Sequence, residues 1–197
     1  MVLHDDMPIL LLVDVQRGFE DITYWGGGRN NENAEVICGQ LLAHWRQMDL
    51  PVIHVRDSLT NPDSKLHASH LGFAFNLHVK PQPGETVITK SVNCAFIGTD
   101  LKERIDSIGL QTLVIAGLTN DPCVSTTAWM AEDYSYDTYL AGGTITTFDM
   151  IGMAGEHFEV GLLQQTELAS LKDKFVTIID LARLLAMLAT VAGASPA

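Results

Sequence analysis

The strongest constraint on the fold is a set of six short apolar runs separated by longer stretches with helical periodicity. The runs occupy residues 8–14, 51–56, 86–89, 112–116, 138–140 and 175–179. Within each run the apolar residues are nearly continuous, as is typical of strands that are buried on both faces of a parallel sheet. Because parallel strands need crossover connections, the stretches between the runs are expected to form helices that cover the sheet.

Five stretches between and after these runs are predicted to be helical. They cover residues 30–48, 100–109, 124–133, 159–171 and 181–191. Apolar residues recur at spacings of three and four in the first, and the second opens with a capping-box pattern. We find no internal repeat or linker that would divide the chain. We therefore predict an α/β fold with one domain over residues 1–197, built on a doubly wound six-stranded parallel sheet with helices on both faces.

Composition argues against several classes of function. The 197 residues include 12 Lys and Arg against 24 Asp and Glu, a formal net charge of −12, so the chain offers no basic surface for nucleic acid. The N-terminus lacks the basic region of a signal peptide, and no apolar run is long enough to cross a bilayer. We expect a cytoplasmic protein without nucleic-acid or membrane partners. The low share of charged residues, 18%, and the apolar C-terminal helix favour a homo-oligomer.

Three reactive side chains are predicted to lie at the carboxyl ends of strands, where doubly wound sheets bind their ligands. Asp14 ends the first apolar run, Lys90 follows the third, and Cys123 comes just after the fourth, where a helix begins. A buried carboxylate needs a cation, and Lys90 is a suitable partner for Asp14. A thiol at a helix N-terminus and close to a cation is shifted towards the nucleophilic thiolate. These residues are the first candidates for a catalytic site.

Each candidate also has an ordinary structural interpretation. A strand-end Asp often anchors a loop, a Lys after a strand is usually solvated, and a single Cys is most often part of the core. Cys38 lies on the apolar side of its predicted helix, and Cys94 lacks a helix N-terminus. Both therefore rank below Cys123 as nucleophiles. Only the joint placement at three strand ends favours the functional interpretation.

Three stretches resemble the isochorismatase-like superfamily of cysteine hydrolases. They are LLLVDVQRGF at 10–19, GETVITKSVNCAFIGTDL at 84–101 and VIAGLTNDPCVSTTAWMA at 114–131. The resemblance implies a catalytic triad of Asp14, Lys90 and Cys123. In that family the Asp is the general base, the Lys orients and charges the pair, and the Cys attacks a carbonyl to form an acyl-enzyme.

The resemblance also implies details of the backbone around the site. Family members have a non-proline cis peptide bond four residues before the cysteine, which falls here on Leu118–Thr119. The backbone N–H groups of Thr119 and Cys123 would then form an oxyanion hole. One departure lies nearby, because this chain has Gly142 and Gly143 where family members often have Asp-Ala. The wall of the site next to these glycines therefore cannot be carried over from the family.

Aromatic residues are candidates for the substrate pocket. Two long connections, 20–31 and 58–76, are expected to be functional loops. Phe19 and Trp25, on or beside the first of them, and Phe96 are expected to line a small apolar pocket. For Phe96, plain core packing is an equally good interpretation.

A metal site is not expected. The nicotinamidase branch of the resembled family binds zinc through an Asp-x-His pattern after the second strand, where this chain reads Asp57-Ser58-Leu59. His67 and His70 are spaced as metal ligands could be, but two loop histidines without a matched carboxylate are more often surface residues. We therefore expect neither a metal nor another cofactor.

The function expected from these observations is a cysteine-dependent hydrolase that cleaves the C–N bond of a small amide, ureido or carbamoyl compound, or lactam. The first alternative is an isochorismatase-type vinyl-ether hydrolase, which retention of Cys123 disfavours because such relatives typically lack the cysteine. A second alternative is a catalytically idle oligomer or a thiol redox protein. The redox version is weakened because no second Cys follows in C-x-x-C spacing. The family's habit of forming dimers and tetramers adds to the expectation of self-association.

Overall fold

Strands and helices alternate along the chain in the order that the apolar runs predict. The structure, a computed structural model, describes residues 7–172 and 174–193. In this part of the chain the elements are β1 (Ile9–Val13), α1 (Ala34–Gln47), β2 (Val52–Asp57), β3 (Thr86–Lys90), α2 (Leu101–Ile108), β4 (Thr112–Gly117), α3 (Ser125–Asp133), β5 (Asp137–Gly142), β6 (Met150–Ile151), β7 (His157–Phe158), α4 (Val160–Leu171), β8 (Thr177–Asp180) and α5 (Leu181–Gly193).

Six of the strands form one parallel sheet in the order β3–β2–β1–β4–β5–β8. The chain first builds outward from β1 through β2 to β3, and then returns to the other side of β1 to add β4, β5 and β8. The order therefore reverses between β1 and β4, which creates the topological switch point at which doubly wound sheets bind ligands. The predicted six-stranded, doubly wound α/β fold is confirmed.

Helices cover both faces of the sheet because successive strand residues point to opposite sides. Leu10 and Leu12 of β1 join one core cluster with residues of α1 and α5. Ile9, Leu11 and Val13 of the same strand join a second cluster with residues of α2, α3 and α4. This two-sided burial is the physical reason why the strands read as continuous apolar runs.

The segment after β5 contains an element that hydrophobic periodicity did not predict. β6 and β7 form a two-stranded antiparallel hairpin with two residues in each strand. Strands this short carry no detectable period, so the sequence pattern could not reveal them. The ends of the predicted domain, 1–6 and 194–197, lie outside the described residues. No helix in the described part of the chain is both long enough and apolar enough to cross a membrane.

Backbone geometry at the end of β4 requires a glycine. Gly117 pairs with Val13 of β1 and has a φ of +148°. A Cβ atom at this position would lie 2.0 Å from the Val13 carbonyl oxygen, so no other residue fits without moving the backbone. The close approach of β4 to β1 brings the segment after β4 next to the residue that follows β1, Asp14.

Candidate active site

The three side chains predicted from strand ends meet at the switch point of the sheet. Lys90 Nζ lies 2.6 Å from a carboxylate oxygen of Asp14 and 3.6 Å from Cys123 Sγ. Asp14 is fully buried and Lys90 is 2% exposed. Asp14 itself has a left-handed backbone conformation, with a φ of +54°, which turns the chain sharply after β1. Lys90 is therefore not a solvated lysine, because it is buried and paired with Asp14.

A fourth residue, Asp57, completes this group. It ends β2, is 2% exposed, and has a carboxylate oxygen 2.9 Å from Lys90 Nζ. Asp14, Asp57, Lys90 and Cys123 are termed the Lys90 cluster below. In the sequence, the place of Asp57 after the second strand suggests only a zinc ligand, so this role is not predicted. The signal was available, because Asp57 ends a strand next to β1 just as Asp14 and Lys90 end theirs.

The position of Asp57 is fixed by a buried glutamine. Gln16 is fully buried, and its side-chain amide donates to the carbonyl oxygens of Asp57 (3.0 Å) and Phe73 (3.0 Å). Its side-chain oxygen accepts from the backbone N–H of Asp57 at 2.8 Å. Every hydrogen-bonding group of this amide that faces Asp57 is thus used, which holds the end of β2 against the segment after β1.

Cys123 lies in a wide turn that leads into α3. Residues Asn120–Val124 form a π-type helical turn in which Asp121 is extended, and α3 starts directly afterwards at Ser125. The Leu118–Thr119 and Asp121–Pro122 peptide bonds are both cis. Cys123 lies within this turn, two residues before the regular helix, and is 6% exposed.

Burial and charge shift the protonation of the cluster in defined directions. Burial raises the pKa of Asp14 to about 6, although the neighbouring Lys90 ammonium counteracts part of this effect. Burial by itself would lower the pKa of Lys90, but the negative charges of Asp14, Cys123 and Asp57 outweigh it and raise this pKa above its usual value. At neutral pH the cluster therefore holds a carboxylate on Asp14 and an ammonium on Lys90.

The expectation that the resting thiol of Cys123 is shifted towards thiolate is wrong. Burial and the negative charge of Asp14 raise the pKa of Cys123 well above its ordinary value, and the opposite effect of Lys90 is smaller. The proton thus rests on sulfur, beside a carboxylate that can accept it.

An apolar cavity of about 200 Å³ adjoins the turn that carries Cys123. It is lined by Trp25, Thr119, Asp121, Pro122, Thr147, Phe148, Asp149 and Met150. The rings of Trp25 and Phe148 have centroids 6.2 Å apart and planes inclined by 25°. The buried Phe19 supports Trp25 from behind at 4.8 Å. This space is termed the aromatic cavity below.

Asp149 fastens the loop that carries Trp25 to the far side of the aromatic cavity. One of its carboxylate oxygens accepts from the backbone N–H of Gly28 at 3.2 Å and from His157 at 3.0 Å. The other accepts from the N–H of Val160, the first residue of α4, at 2.8 Å. Asp149 N–H also donates to the Gly28 carbonyl at 3.0 Å. The glycine-rich stretch 26–28 is thus held in place at Gly28 by two hydrogen bonds to Asp149.

Phe96, another candidate for the pocket, lies elsewhere. Its ring packs against Tyr134 and Tyr136, with centroids 5.4 and 6.2 Å away. Tyr136 immediately precedes β5 and so lies at the amino ends of the strands, whereas the Lys90 cluster lies at their carboxyl ends. Since Phe96 is also absent from the lining of the aromatic cavity, we assign it to the core.

The two loop histidines are not assembled into a ligand set in the described part of the chain. His67 Nδ1 contacts Ser69 Oγ at 2.8 Å, and His70 Nε2 contacts the Pro62 carbonyl at 3.1 Å. The described residues contain one group of potential metal ligands, formed by Asp14, Asp57 and Cys123. Lys90 contacts all three of these side chains, so an ammonium already occupies the position that a cation would take.

The two glycines after Ala141 form the turn that leads to the aromatic cavity. Gly142 ends β5, and Gly143 has a φ of +84°. The segment that follows them contributes Thr147 and Phe148 to the cavity. The departure from the resembled family at these positions therefore shapes the backbone that delivers one cavity wall.

A larger cavity, of about 450 Å³, lies at the amino ends of the strands, between the starts of β2 and β3. Its charged residues include Arg46 and Glu85, which bind each other at 2.7 and 2.8 Å. No Cys, Ser or His lines this cavity. We therefore place the chemistry at the Lys90 cluster and not in the larger space.

Comparison with known proteins identifies the family of this chain. The isochorismatase domain model matches residues 8–183. The chain belongs to the isochorismatase family. An uncharacterised isochorismatase family protein from Bacillus subtilis, YrdC, is 37% identical over 175 residues, which cover 89% of this chain and 92% of the relative. An isochorismatase-family structure from Chromobacterium violaceum superimposes with a TM-score of 0.91 at 35% identity, covering 96% of this chain and 97% of the other.

A relative with a named activity extends the isochorismatase-family comparison. Streptothricin hydrolase from Streptomyces noursei is 29% identical over 144 residues, which cover 72% of this chain and 50% of that protein. The family match and this hydrolase relative together identify the chain as an isochorismatase-family hydrolase.

Proposed function

We propose that this hydrolase cleaves the C–N bond of a small amide, ureido or carbamoyl compound, or lactam through a thioester on Cys123. The observation that carries the proposal is the single ammonium, Lys90 Nζ, that contacts Asp14, Asp57 and Cys123 Sγ at 2.6, 2.9 and 3.6 Å in a buried site. A thiol beside a carboxylate of raised pKa is suited to general-base activation. The streptothricin hydrolase relative supports a hydrolytic reaction.

The first half of the reaction uses Asp14 as a base and then as an acid. Asp14 takes the proton from Cys123 Sγ, and the sulfur forms a bond to the substrate carbonyl carbon. The tetrahedral oxyanion is held by the backbone N–H groups of Thr119 and Cys123; the neighbouring N–H groups are already bound, Asn120 to Thr146 O and Val124 to Thr119 O. Asp14 then returns the proton to the leaving nitrogen as the C–N bond breaks.

The second half of the reaction releases the acid product. A water molecule gives a proton to Asp14 and attacks the thioester carbon, and the sulfur leaves as the thiolate that Asp14 reprotonates. Lys90 stays charged throughout, because three negative or potentially negative groups surround it. Its role is to lower the free energy of the state in which Cys123 is ionised.

A hydrolysis screen across small amides, ureido acids, lactams and a vinyl ether tests this proposal, with ammonia release as the readout for primary amides and ureido acids and mass spectrometry for lactams and the vinyl ether. Wild type and Cys123→Ala are assayed in parallel under identical conditions. We expect the wild type to hydrolyse at least one compound that Cys123→Ala does not hydrolyse. Hydrolysis of a vinyl ether, with no turnover of any C–N substrate, would favour the isochorismatase-type alternative and overturn the proposal.

Neutralising Asp57 is expected to reduce turnover and to shift its pH dependence. In Asp57→Asn, Lys90 loses one of its two carboxylate partners, and kcat on a substrate found in the screen should fall by roughly tenfold with little change in KM. The negative charge of Asp57 contributes to the raised pKa of Asp14, so its removal should move the acid limb of the kcat profile to lower pH. An unchanged profile would show that Asp57 has no electrostatic role.

Chelation is expected to leave activity intact. The ligand group formed by Asp14, Asp57 and Cys123 is already bound to the Lys90 ammonium, so a metal ion would have to displace a buried cation. Activity is measured before and after dialysis against a chelator, and again after zinc is added. Loss of activity that zinc restores would contradict this prediction and would place the chain with zinc-dependent relatives.

Self-association and a cytoplasmic location are part of the same proposal. The exposed apolar side chains Ile151, Met153 and Leu162 lie on the β6–β7 hairpin and α4, which supports a homo-oligomer. Light scattering at micromolar concentration measures this directly. A monomer mass would contradict it.

A further inference from the structure

The charges around the aromatic cavity are of one sign. Among its lining residues, all within the described part of the chain, the two charged side chains are Asp121 and Asp149. None of the ion pairs between described residues involves Asp121. The pKa of Asp149 is lowered, chiefly by the backbone N–H of Val160, so this carboxylate remains charged. The lining thus provides anions and no Lys or Arg.

Lys90 and Arg29, two cations close to the cavity, already have carboxylate partners. Lys90 is shared between two carboxylates in the Lys90 cluster. Arg29 lies behind the cavity, with its guanidinium carbon 5.9 Å from the centre of the Phe148 ring. Its Nη2 binds Glu35 at 2.7 Å, and both side chains are more than nine-tenths buried. A carboxylate on a bound substrate would therefore find no Lys or Arg among the lining residues of the cavity and would face like charges.

The apolar surfaces of the cavity suit a different ligand chemistry. The faces of Trp25 and Phe148 attract either a flat neutral group or an organic cation, since aromatic rings carry negative potential on their faces. Carboxylates at the edge of an aromatic site strengthen the preference for a cation. Thr119, whose N–H belongs to the proposed oxyanion hole, lines the same cavity, so a group bound there lies next to the reacting carbonyl.

We propose that the aromatic cavity selects substrates that are neutral or cationic next to the scissile bond and rejects those that carry a carboxylate there. This inference rests on the proposed function, because it takes the cavity as the place where the substrate of Cys123 binds. It assigns Asp121 as a specificity-determining residue. Its carboxylate lies two residues before Cys123 on the turn that carries the nucleophile.

Charged thiol reagents test the selectivity without needing a known substrate. Three methanethiosulfonates with the same reactive group are compared: one with a trimethylammonium-ethyl group, one with a methyl group and one with a sulfonatoethyl group. The Cys123 sulfur attacks the sulfenyl sulfur, a disulfide forms, and methanesulfinate leaves with the electron pair of the broken S–S bond. Rates at Cys123 are measured by quenching and peptide mass spectrometry, and are divided by the rates with a small free thiol.

The expected result is a normalised rate for the cationic reagent that is about tenfold or more above that for the anionic reagent, with a smaller ratio at high salt. Asp121→Asn should lower the ratio by about threefold. The matched control is Asp133→Asn, which removes the same charge from the last residue of α3, near the amino ends of the strands. This variant should leave the ratio unchanged.

Two outcomes would overturn the inference, and they can be told apart. A ratio near one, or a ratio that Asp121→Asn does not change, while Cys123 is labelled readily, overturns the charge selectivity and leaves the proposed function standing. Failure of all three reagents to label Cys123 overturns both, because a cavity that admits substrate to the thiol must admit the methyl reagent.

Discussion

Cys123→Ser is expected to lose turnover by about a thousandfold or more while remaining folded, because a hydroxyl is far less acidic than a thiol beside the same base. The serine oxygen can still accept from Lys90 Nζ, which lies 3.6 Å from Cys123 Sγ, so little stability should be lost. Activity is measured on a substrate found in the amide screen, and stability by thermal unfolding.

Cys38→Ser is the matched control for this variant. Cys38 is fully buried and its Sγ contacts the Thr144 carbonyl at 3.5 Å, but it lies on α1 in the core on the other face of the sheet. This variant should keep its turnover even if its unfolding temperature falls. Comparable activity in Cys123→Ser and wild type would end the covalent mechanism, and equal losses in both variants would point to a structural effect.

Lys90→Met is expected to lower turnover by orders of magnitude and to raise the pH at which Cys123 is alkylated. Without the ammonium, Asp14 and Asp57 face each other as two buried carboxylates, so one of them will hold a proton at neutral pH. Asp14 then no longer accepts the thiol proton. Retained turnover together with an unchanged alkylation profile would mean that Lys90 plays no part in the chemistry.

A second variant separates this effect from simple loss of stability. Removing one partner of a buried ion pair typically costs about 3–5 kcal/mol, which is a large part of the free energy of unfolding of a domain. In Lys90→Met/Asp57→Asn one of the two uncompensated carboxylates is removed, and the unfolding temperature should recover towards that of the wild type. Turnover should stay low, because the charge that favours ionised Cys123 is still missing.

The sequence allowed the sheet and three members of the Lys90 cluster to be predicted for the same physical reason. Strands that are buried on both faces form continuous apolar runs in the sequence. A polar residue that ends such a run lies at the carboxyl end of a strand, where ligands bind. Asp14, Lys90 and Cys123 satisfy this rule in the structure. Asp57 satisfies it equally well, because it ends β2, so the same rule applied to every strand end also includes it.

Other parts of the site could not be predicted because they depend on contacts between distant segments. Gly28 and Asp149 are 121 residues apart, and the hydrogen bond between them has no counterpart in local periodicity. Phe148 joins Trp25 in the aromatic cavity for the same reason. The predicted protonation state of Cys123 was wrong because burial raises the pKa of the thiol by more than the nearby Lys90 lowers it, and a sequence does not show how deeply a side chain is buried.

The pH dependence of alkylation at each cysteine tests the central claim most directly, because it reports whether Asp14 activates Cys123. Wild type and Asp14→Asn are treated with iodoacetamide from about pH 4.5 to 8.5, a range chosen to span the ordinary and raised values for a carboxyl group, and labelling is assigned by peptide mapping. The account predicts that Cys123 reacts much faster than Cys38 or Cys94, that its rate rises with a midpoint near the Asp14 pKa of about 6, and that this rise is lost in Asp14→Asn. Equal, slow labelling of all three cysteines, or identical profiles in the two proteins, would contradict it.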